Sequence, residues 1–485
     1  MEKTVKKKGM NLFDFFMLGF GSIVGVGWAV AINGWMAKGG GPFPAFIAFL
    51  FATVMIIPIA FCYAELTSAM PVAGGVVAFA YKAFGTFPSF VGGWFVALAY
   101  VTIIPWEAIY INDVMALLFP VLKAGEPLYM VAGVGIYGKG LIVGIILSLA
   151  IIIMNYRGID LASTVQTVLG IILVGTGFLV IIFSLIKMDP SNLMPIYENV
   201  GKGTHTSMFG GIIAVMAIAP FFLAGFDTIT QGAEEGSEGL DFKSLGKVLV
   251  MAILSAGFFY SILLLATGMA MPWQNFYGLQ PPAVSILLQN LYGGGTFGFV
   301  LYWVVILGAL AGLFTTWNGF YIASARLLMG MGRARLLPAF FAKVHPKYGT
   351  PVGANTFIAI SCLIGPFVGM GVIDPLTVVG STAFLIGWFM TSISCIRLRK
   401  SQPDMPRPYK VPGGMVLVWL AAVISLIFIV STFLPLSPGF MGALGIKIFA
   451  VWCILGGIFY FGTSKFRNQF SEEERIASIF QKLHD

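Results

Sequence analysis

Two carboxylates and a pair of hydroxyls lie in stretches otherwise too apolar to hold them, and these are the places where chemistry can occur. Glu107 sits in IIPWEAIYIND, two residues past Pro105 and next to Trp106. Asp227 follows Gly225 in PFFLAGFDTITQG. An ionisable side chain at bilayer depth is costly and as a rule marks a function. Glu107 is suited to bind a cationic group in a cavity, to carry a proton or to orient backbone. The alternative is a buried carboxyl hydrogen-bonded to a neighbouring helix. Asp227 is placed to accept backbone N–H groups where a helix restarts, because a short acidic side chain satisfies the donors a helix start leaves open. Thr315 and Thr316 offer adjacent hydroxyls as Na⁺ ligands, although such threonines more commonly bond back to their own helix. Phe221, Phe222, Phe226, Trp317 and Phe320 are candidates to line or gate an apolar pocket, against plain packing in a chain that is 14% aromatic. Asp113, near the outer half of its span, carries little weight.

Covalent chemistry has no carrier here. The chain lacks HExxH, GxSxG and GxxxxGK[ST] patterns, and its histidines, His205, His345 and His484, fall in loops and the tail. Cys62, Cys362, Cys395 and Cys453 are scattered singly, with neither the pairing of a disulfide framework nor the spacing of a zinc site. The chain is therefore read as a non-enzyme, without metal or cofactor apart from Na⁺ as a candidate coupling ion.

The helices that must position these groups include two that are interrupted. Residues 11–37 are long enough to cross a bilayer, for which about 20 apolar residues suffice. Their centre nevertheless reads GSIVGVG from Gly21 to Gly27. Each glycine weakens a helix by roughly 1 kcal/mol relative to alanine, so the span is expected to open there. Peptide groups freed at mid-membrane find no partner in lipid, so an opened turn must face protein, water or a ligand, which is how many secondary transporters build a site. Close helix packing across Gly21 and Gly25 is the other reading, and their spacing fits it. In the sixth span Pro220 removes a backbone donor, and Gly225 with Asp227 interrupts the apolar run. Breaks in the first and sixth spans imply two five-span halves with a midplane site between them.

The totals agree with a membrane setting. Of 485 residues, 58% are hydrophobic and 10% charged, against about 25% charged in a soluble domain. Mean hydropathy is +0.92. Hydropathy, length and Gly/Pro punctuation give twelve spans, at 11–37, 42–64, 88–119, 139–156, 161–186, 208–231, 245–271, 297–331, 352–371, 375–396, 415–434 and 442–461. The first is too long for a cleavable signal and lacks a small-residue cleavage site. Six Lys/Arg residues fall in the odd-numbered connections (Lys38, Lys123, Lys139, Lys187, Lys202, Lys447) and the rest of the 28 on the other side. That asymmetry puts both termini in the cytoplasm. The basic clusters Lys6-Lys7-Lys8, Arg333/Arg335/Lys343/Lys347 and Arg397/Arg399/Lys400 then act as topology determinants near anionic headgroups, and no nucleic acid is needed to explain them.

Pro58 and Pro105 should kink the second and third spans. Residues 74–85 are too short to cross and are expected to form a cytoplasmic-side helix, and 273–291 an outer lid. The polar tail 465–485 is expected to be solvated. The organisation is thus a short N-terminal tail (1–10), one membrane domain (11–463, with halves at 11–187 and 208–397 and extra helices at 413–463) and a C-terminal tail (464–485). Both tails are expected to be cytoplasmic.

Five segments resemble the amino acid-polyamine-organocation (APC) superfamily of secondary transporters. They are Gly21–Gly27, AELTSAMPVAGGVVAFAYKAFG (64–85), GFDTITQGAEE (225–235), SARLLMGMGRARLLPAFFAKVHPKYGTPVGA (324–354) and RPYKVPG (407–413). They occur in the right order at the right spans. The resemblance implies an all-α membrane protein of the LeuT type, with ten core helices in two inverted halves, discontinuous helices 1 and 6, and two added C-terminal helices. It implies an amino acid or amine substrate held between the broken helices. The backbone N–H groups of Ser22, Ile23, Val24, Gly25, Val26 and Gly27 would receive an α-carboxylate, aided by a half-helix dipole. Carbonyls around Phe221, Leu223 and Ala224, beside Gly225 and Asp227, would receive the α-ammonium. Glu107, Phe221, Phe320 and Ser381 are then nominated to set which side chain fits.

Two positions depart from the family pattern. Proton-coupled members carry a lysine in the fifth span where a gapless alignment places Leu173, which leaves exchange, facilitated diffusion or Na⁺ coupling through Thr315 and Thr316. Trp28 follows the glycine-rich turn where many members have a smaller residue. The leading expectation is an inner-membrane amino acid permease or exchanger working by alternating access, with neutral amino acids ahead. An amine or polyamine carrier using Glu107 for the substrate ammonium is the rival. A non-transporting receptor or scaffold is the remaining alternative, and the short tails leave no room for a signalling domain.

Overall fold

The computed structural model describes residues 9–200, 205–279 and 282–480, with only the backbone of 159 and 160. The Lys6–Lys8 cluster, Lys202 and His484 lie outside the described residues. The chain begins with α1 (Leu12–Ile23), α2 (Gly27–Val30), α3 (Ile32–Gly39), α4 (Pro42–Ala69), α5 (Val76–Phe84) and α6 (Thr86–Leu118). A small hairpin of β1 (Tyr129–Val131) and β2 (Val134–Ile136) precedes α7 (Gly138–Arg157), α8 (Ile159–Ile186), α9 (Met208–Leu223) and α10 (Asp227–Gly232). Then come α11 (Phe242–Ala270), α12 (Trp273–Tyr277), α13 (Ala283–Leu291), α14 (Thr296–Arg333) and α15 (Val352–Val368). The series ends with α16 (Ile373–Ser401), α17 (Gly414–Phe433), α18 (Gly442–Gly462), α19 (Ser464–Arg467) and α20 (Glu472–Phe480).

Among the described residues, eleven helices are long and apolar enough to cross a bilayer, counting Leu12–Val30 as one, and Val352–Val368 is a shorter apolar twelfth. The protein is therefore a multi-pass membrane protein. Local sequence fixes the boundaries. Asn11 caps α1 and forms a reciprocal box with Asp14, Ser207 caps α9, and Asp241 caps α11. The Ser244 hydroxyl bonded to Asp241 at 2.6 Å holds that exposed carboxyl below the usual carboxylate range. Gly40, at φ +76°, ends α3 in the left-handed region that side chains avoid.

The interrupted helix α1/α2 is surrounded by α8, α11, α14 and α10, while α4 packs along α11 and α16 along α6 and α17. The outer helices turn apolar residues outward. Ile142 and Ile146 of α7, Phe178 of α8, Ile427 of α17 and Ile454 of α18 are all exposed, as a lipid-facing surface requires. A buried clamp ties the segment after α16 to the bundle. Glu65 of α4 is fully buried, receives Arg399 Nε at 2.8 Å and the Val411 N–H at 2.8 Å, and faces Arg407 at 3.3 Å. A buried charge persists only with such compensation.

Two features differ from expectation. The tail is not wholly solvated, because α20 packs against α14 and buries Ile479 to 2% exposure. Ile476, Ile479 and Phe480 make a stripe at helical spacing that the triple Glu472-Glu473-Glu474 masks in a polarity count. The third connection also contains the β hairpin, which an all-helical reading omits. Residues 76–84 do form a short helix, residues 273–291 hold two, and the four cysteines are free.

Candidate functional site

Helix 1 opens at Val24–Val26 and helix 6 at Ala224–Phe226. The breaks touch. Gly225 has φ +131°, and a Cβ placed on it would lie 2.7 Å from the Ile23 nitrogen. Only a glycine brings these two backbones so close without strain. The Thr228 hydroxyl, which bonds the Gly225 carbonyl at 2.6 Å, also reaches Ser22 Oγ at 3.3 Å.

Breaking the helices frees peptide groups. Among the described residues, the N–H groups of Gly27 and Trp28 make no hydrogen bond, and none ends on the carbonyls of residues 220–224. Free donors at one break and free acceptors at the other thus belong to two breaks in contact. Asp227 is turned away from the opening. Its carboxylate accepts the Gly225 N–H at 3.1 Å and the Tyr100 hydroxyl at 2.6 Å, so it fastens the break to α6.

A cavity of about 20 Å³ lies between the breaks, lined by Ser22, Ile23, Gly25 and Gly27 of helix 1. Ile103, Trp106 and Glu107 of α6, Phe221 and Phe222 of α9, Tyr260 of α11, and Thr316 and Phe320 of α14 complete it. That space admits one or two waters. Glu107 is 2% exposed, with Oε2 unpartnered. A Cβ on Gly25 would fall 3.1 Å from its Oε1 and 2.6 Å from Thr316 Oγ1. A carboxylate with spare lone pairs, Gly27 with its free N–H, Phe221 and Phe222 with their free carbonyls, and an aromatic wall therefore border one small volume.

Both approaches are closed. On one side Met10 pairs with the end of helix 6 through its N–H to the Glu235 carbonyl at 2.8 Å. There Glu235 ion-pairs with Arg326, and Glu234 takes Arg333 at 3.1 Å and the Ala73 N–H at 2.9 Å. On the other side Trp35 packs on Phe49 and Phe222, both at 4.7 Å. Asn33 Nδ2 donates to the Leu279 carbonyl ahead of α13 at 2.9 Å. The structure is occluded.

Several sequence candidates fall outside the cavity lining. Val24 and Val26 bury their side chains in packing. The Val24 N–H is bonded to the Phe20 carbonyl at 2.8 Å and the Gly25 N–H to the Ile23 carbonyl at 3.2 Å, so neither is open to a carboxylate, whereas the Val26 N–H makes no such bond. Leu223 and Ala224 bring free carbonyls rather than side chains. Ser381 is fully buried with its hydroxyl unpartnered, and it is not part of the lining. Trp28 packs on Phe259 at 6.3 Å and so does not narrow the cavity. Leu173 lies beside Gly312, which the Gly25 carbonyl also approaches, so an apolar side chain stands next to the break. Ile103 and Tyr260 also line the cavity, beyond the sequence candidates. The stripe Tyr100, Ile103, Glu107 at helical spacing is the signal that points to α6, whereas Tyr260, which donates to the Ile23 carbonyl at 2.9 Å, is hidden in an apolar run.

The two threonines separate cleanly. Thr315 bonds its own helix at the Gly312 carbonyl, 2.9 Å, whereas Thr316 crosses to the Gly21 carbonyl at 3.0 Å. Thr316→Val should therefore lower the melting temperature of the detergent-purified protein by an amount equivalent to about 1–3 kcal/mol, the cost of an unmet buried acceptor. Thr315→Val should cost less, and a scanning-fluorimetry comparison of the two variants checks the order.

Comparison with known proteins places this geometry. The amino acid permease family model matches residues 10–459. The branched-chain amino acid permease BcaP of Bacillus subtilis (strain 168) is 28% identical, covering 95% of this chain and 93% of its own. The methylthioribose transporter of the same organism is also 28% identical, covering 93% and 92%. Cationic amino acid transporter 9, chloroplastic, of Arabidopsis thaliana is 30% identical over 70% of this chain and 57% of its own. A match of this extent, on a chain with paired helix breaks around one cavity, means that the protein belongs to the amino acid permease family within the APC superfamily.

Proposed function

We propose that the protein is a secondary transporter of the cell membrane that carries neutral amino acids with apolar side chains by alternating access, binding them between the broken helices 1 and 6. The observation that carries the reading is that two helix breaks in contact at Gly225 and Ile23 leave N–H groups free at Gly27 and Trp28 and carbonyls free at residues 220–224, with Gly27, Phe221 and Phe222 bordering one cavity. A zwitterion needs both within a few ångströms, and the start of a helix favours the carboxylate. The side chain then meets Ile103, Trp106, Phe221, Phe222 and Phe320, a wall that rewards apolar burial. In such a cycle the two closures described above would open in turn, with a closed form between them.

A second reading is favoured by the unpartnered oxygen of Glu107. In an amine carrier, that carboxylate would receive the substrate's cation. The relatives' names span branched-chain and cationic amino acids and a thiosugar, so the choice rests on binding. Thermal-shift screening of the purified protein against amino acids and amines, with and without Na⁺, tests it. A ligand at a hundredfold excess over its Kd stabilises the folded state by about 2.7 kcal/mol. Stabilisation by leucine, isoleucine or valine, followed by their uptake into proteoliposomes, is the expected result. Stabilisation by amines alone would replace it with the second reading, and a Na⁺ requirement would make Na⁺ the coupling ion.

A further inference from the structure

A second polar cavity lies apart from the substrate site and shares no lining residue with it. It measures about 10 Å³ and is bounded by Asn155 of α7, Arg326 of α14, and Thr350, Pro351 and Asn355 at the start of α15. Arg326 is 3% exposed and Asn355 4%. Arg326 Nη1 and Asn355 Nδ2 are both buried and without a hydrogen-bond partner. Two further donors of the wall are already engaged. Asn155 Nδ2 donates to the Ile151 carbonyl at 3.0 Å and to Asn318 Oδ1 at 2.9 Å, and the Thr350 hydroxyl donates to the Tyr156 carbonyl at 3.0 Å.

The unmet groups are therefore donors. A guanidinium has no lone pair with which to accept, and buried polar groups left unpaired are rare enough to demand an occupant. A space of this size holds one water, and a halide enters with a small outward shift of the walls. The start of the 17-residue α15 adjoins it, and its partial positive charge favours an anion over a neutral guest.

We propose that this cavity binds one halide-sized monovalent anion, chloride being the ordinary supply, through Arg326 Nη1 and Asn355 Nδ2. The consequence for the cycle rests on the alternating-access reading above. Arg326 is ion-paired to Glu235 at the end of helix 6. When that end moves to open the site, Arg326 would be left as a buried charge with no partner. The bound anion takes over that charge, so it stabilises the open state and speeds the step that reaches it.

The test uses the full chain in detergent and in proteoliposomes. Equilibrium dialysis with radioactive chloride should show one saturable site per chain. Asn355→Asp, which puts a fixed carboxylate of nearly the same shape into the cavity, should abolish that binding. Replacing chloride by gluconate, too large to enter, should slow substrate uptake by about tenfold in the parent, the effect of one charge-assisted hydrogen bond, but leave Asn355→Asp unaffected. Absence of saturable chloride binding in the folded parent would mean that the cavity holds only water and would overturn the proposal. Chloride binding with uptake equal in chloride and gluconate would overturn the transfer of charge from Glu235. Absence of any amino acid uptake would overturn the transport reading while leaving the dialysis result to judge the anion site alone.

Discussion

Gly25→Val is expected to abolish uptake, and Gly225→Ala to reduce it by at least about a hundredfold, whereas Gly34→Ala leaves it unchanged. The reason is local geometry. A Cβ at Gly25 would sit 2.6 Å from Thr316 Oγ1 and 3.1 Å from Glu107 Oε1, so the first methyl already collides with the wall and a valine fills the cavity. Thr316 cannot yield easily, because its hydroxyl is bonded across to Gly21. At Gly225 the conflict is with backbone. Its φ of +131° and the 2.7 Å approach to the Ile23 nitrogen leave an alanine both strained, by about 1–3 kcal/mol, and pressed against the other broken helix. Relief requires moving helix 1 away from helix 6, which separates the free donors from the free acceptors. Gly34 is the control, since a methyl there meets nothing within 4 Å. Initial uptake rates in proteoliposomes with matched protein content, together with melting curves, check all three variants. Normal uptake by Gly25→Val would remove the cavity from the transport path.

The second large effect concerns Glu107. Glu107→Gln keeps the size of the side chain and removes its charge. If the neutral amino acid is held by the free carbonyls of helix 6, its KM should move by about threefold or less, because an amide still hydrogen-bonds. Uptake of an amine or of a basic amino acid, by contrast, should fall by at least about thirtyfold, the cost of breaking a buried charge pair. Competition assays with leucine, lysine and a diamine, run on parent and variant side by side, read the difference. An amine that is carried equally well by Glu107→Gln excludes Glu107 as its partner and with it the amine-carrier reading.

What could be read in advance follows from which physical signals are local. The helix breaks were legible because glycine and proline act through their own backbone: GSIVGVG opens at Val24–Val26 and AGFDT at Ala224–Phe226. Glu107, Phe221 and Phe320, expected to shape the pocket, line the cavity, and so does Thr316, expected only as a Na⁺ ligand. Ser381 does not, and Ile103 and Tyr260 do so unannounced. In a chain that is 58% hydrophobic, the face a buried helix turns inward is set by its neighbours, since lipid and protein interior reward the same side chains. That is why Thr315 and Thr316, adjacent and identical, have different fates, one on its own helix and one on the Gly21 carbonyl. The ion pairs that close one approach, Glu235 with Arg326 and Glu234 with Arg333, join residues about a hundred positions apart, and no spacing rule links them.

The central claim is that the peptide groups exposed at the two breaks are what hold the substrate. A cryo-electron-microscopy map of the protein in lipid nanodiscs with saturating leucine tests it most directly. The account predicts ligand density between the breaks, its carboxylate against the N–H groups of Gly27 and Trp28 and its ammonium against carbonyls of residues 220–224. Density for leucine elsewhere in the bundle, with the space between Gly25 and Phe221 unchanged, would contradict it.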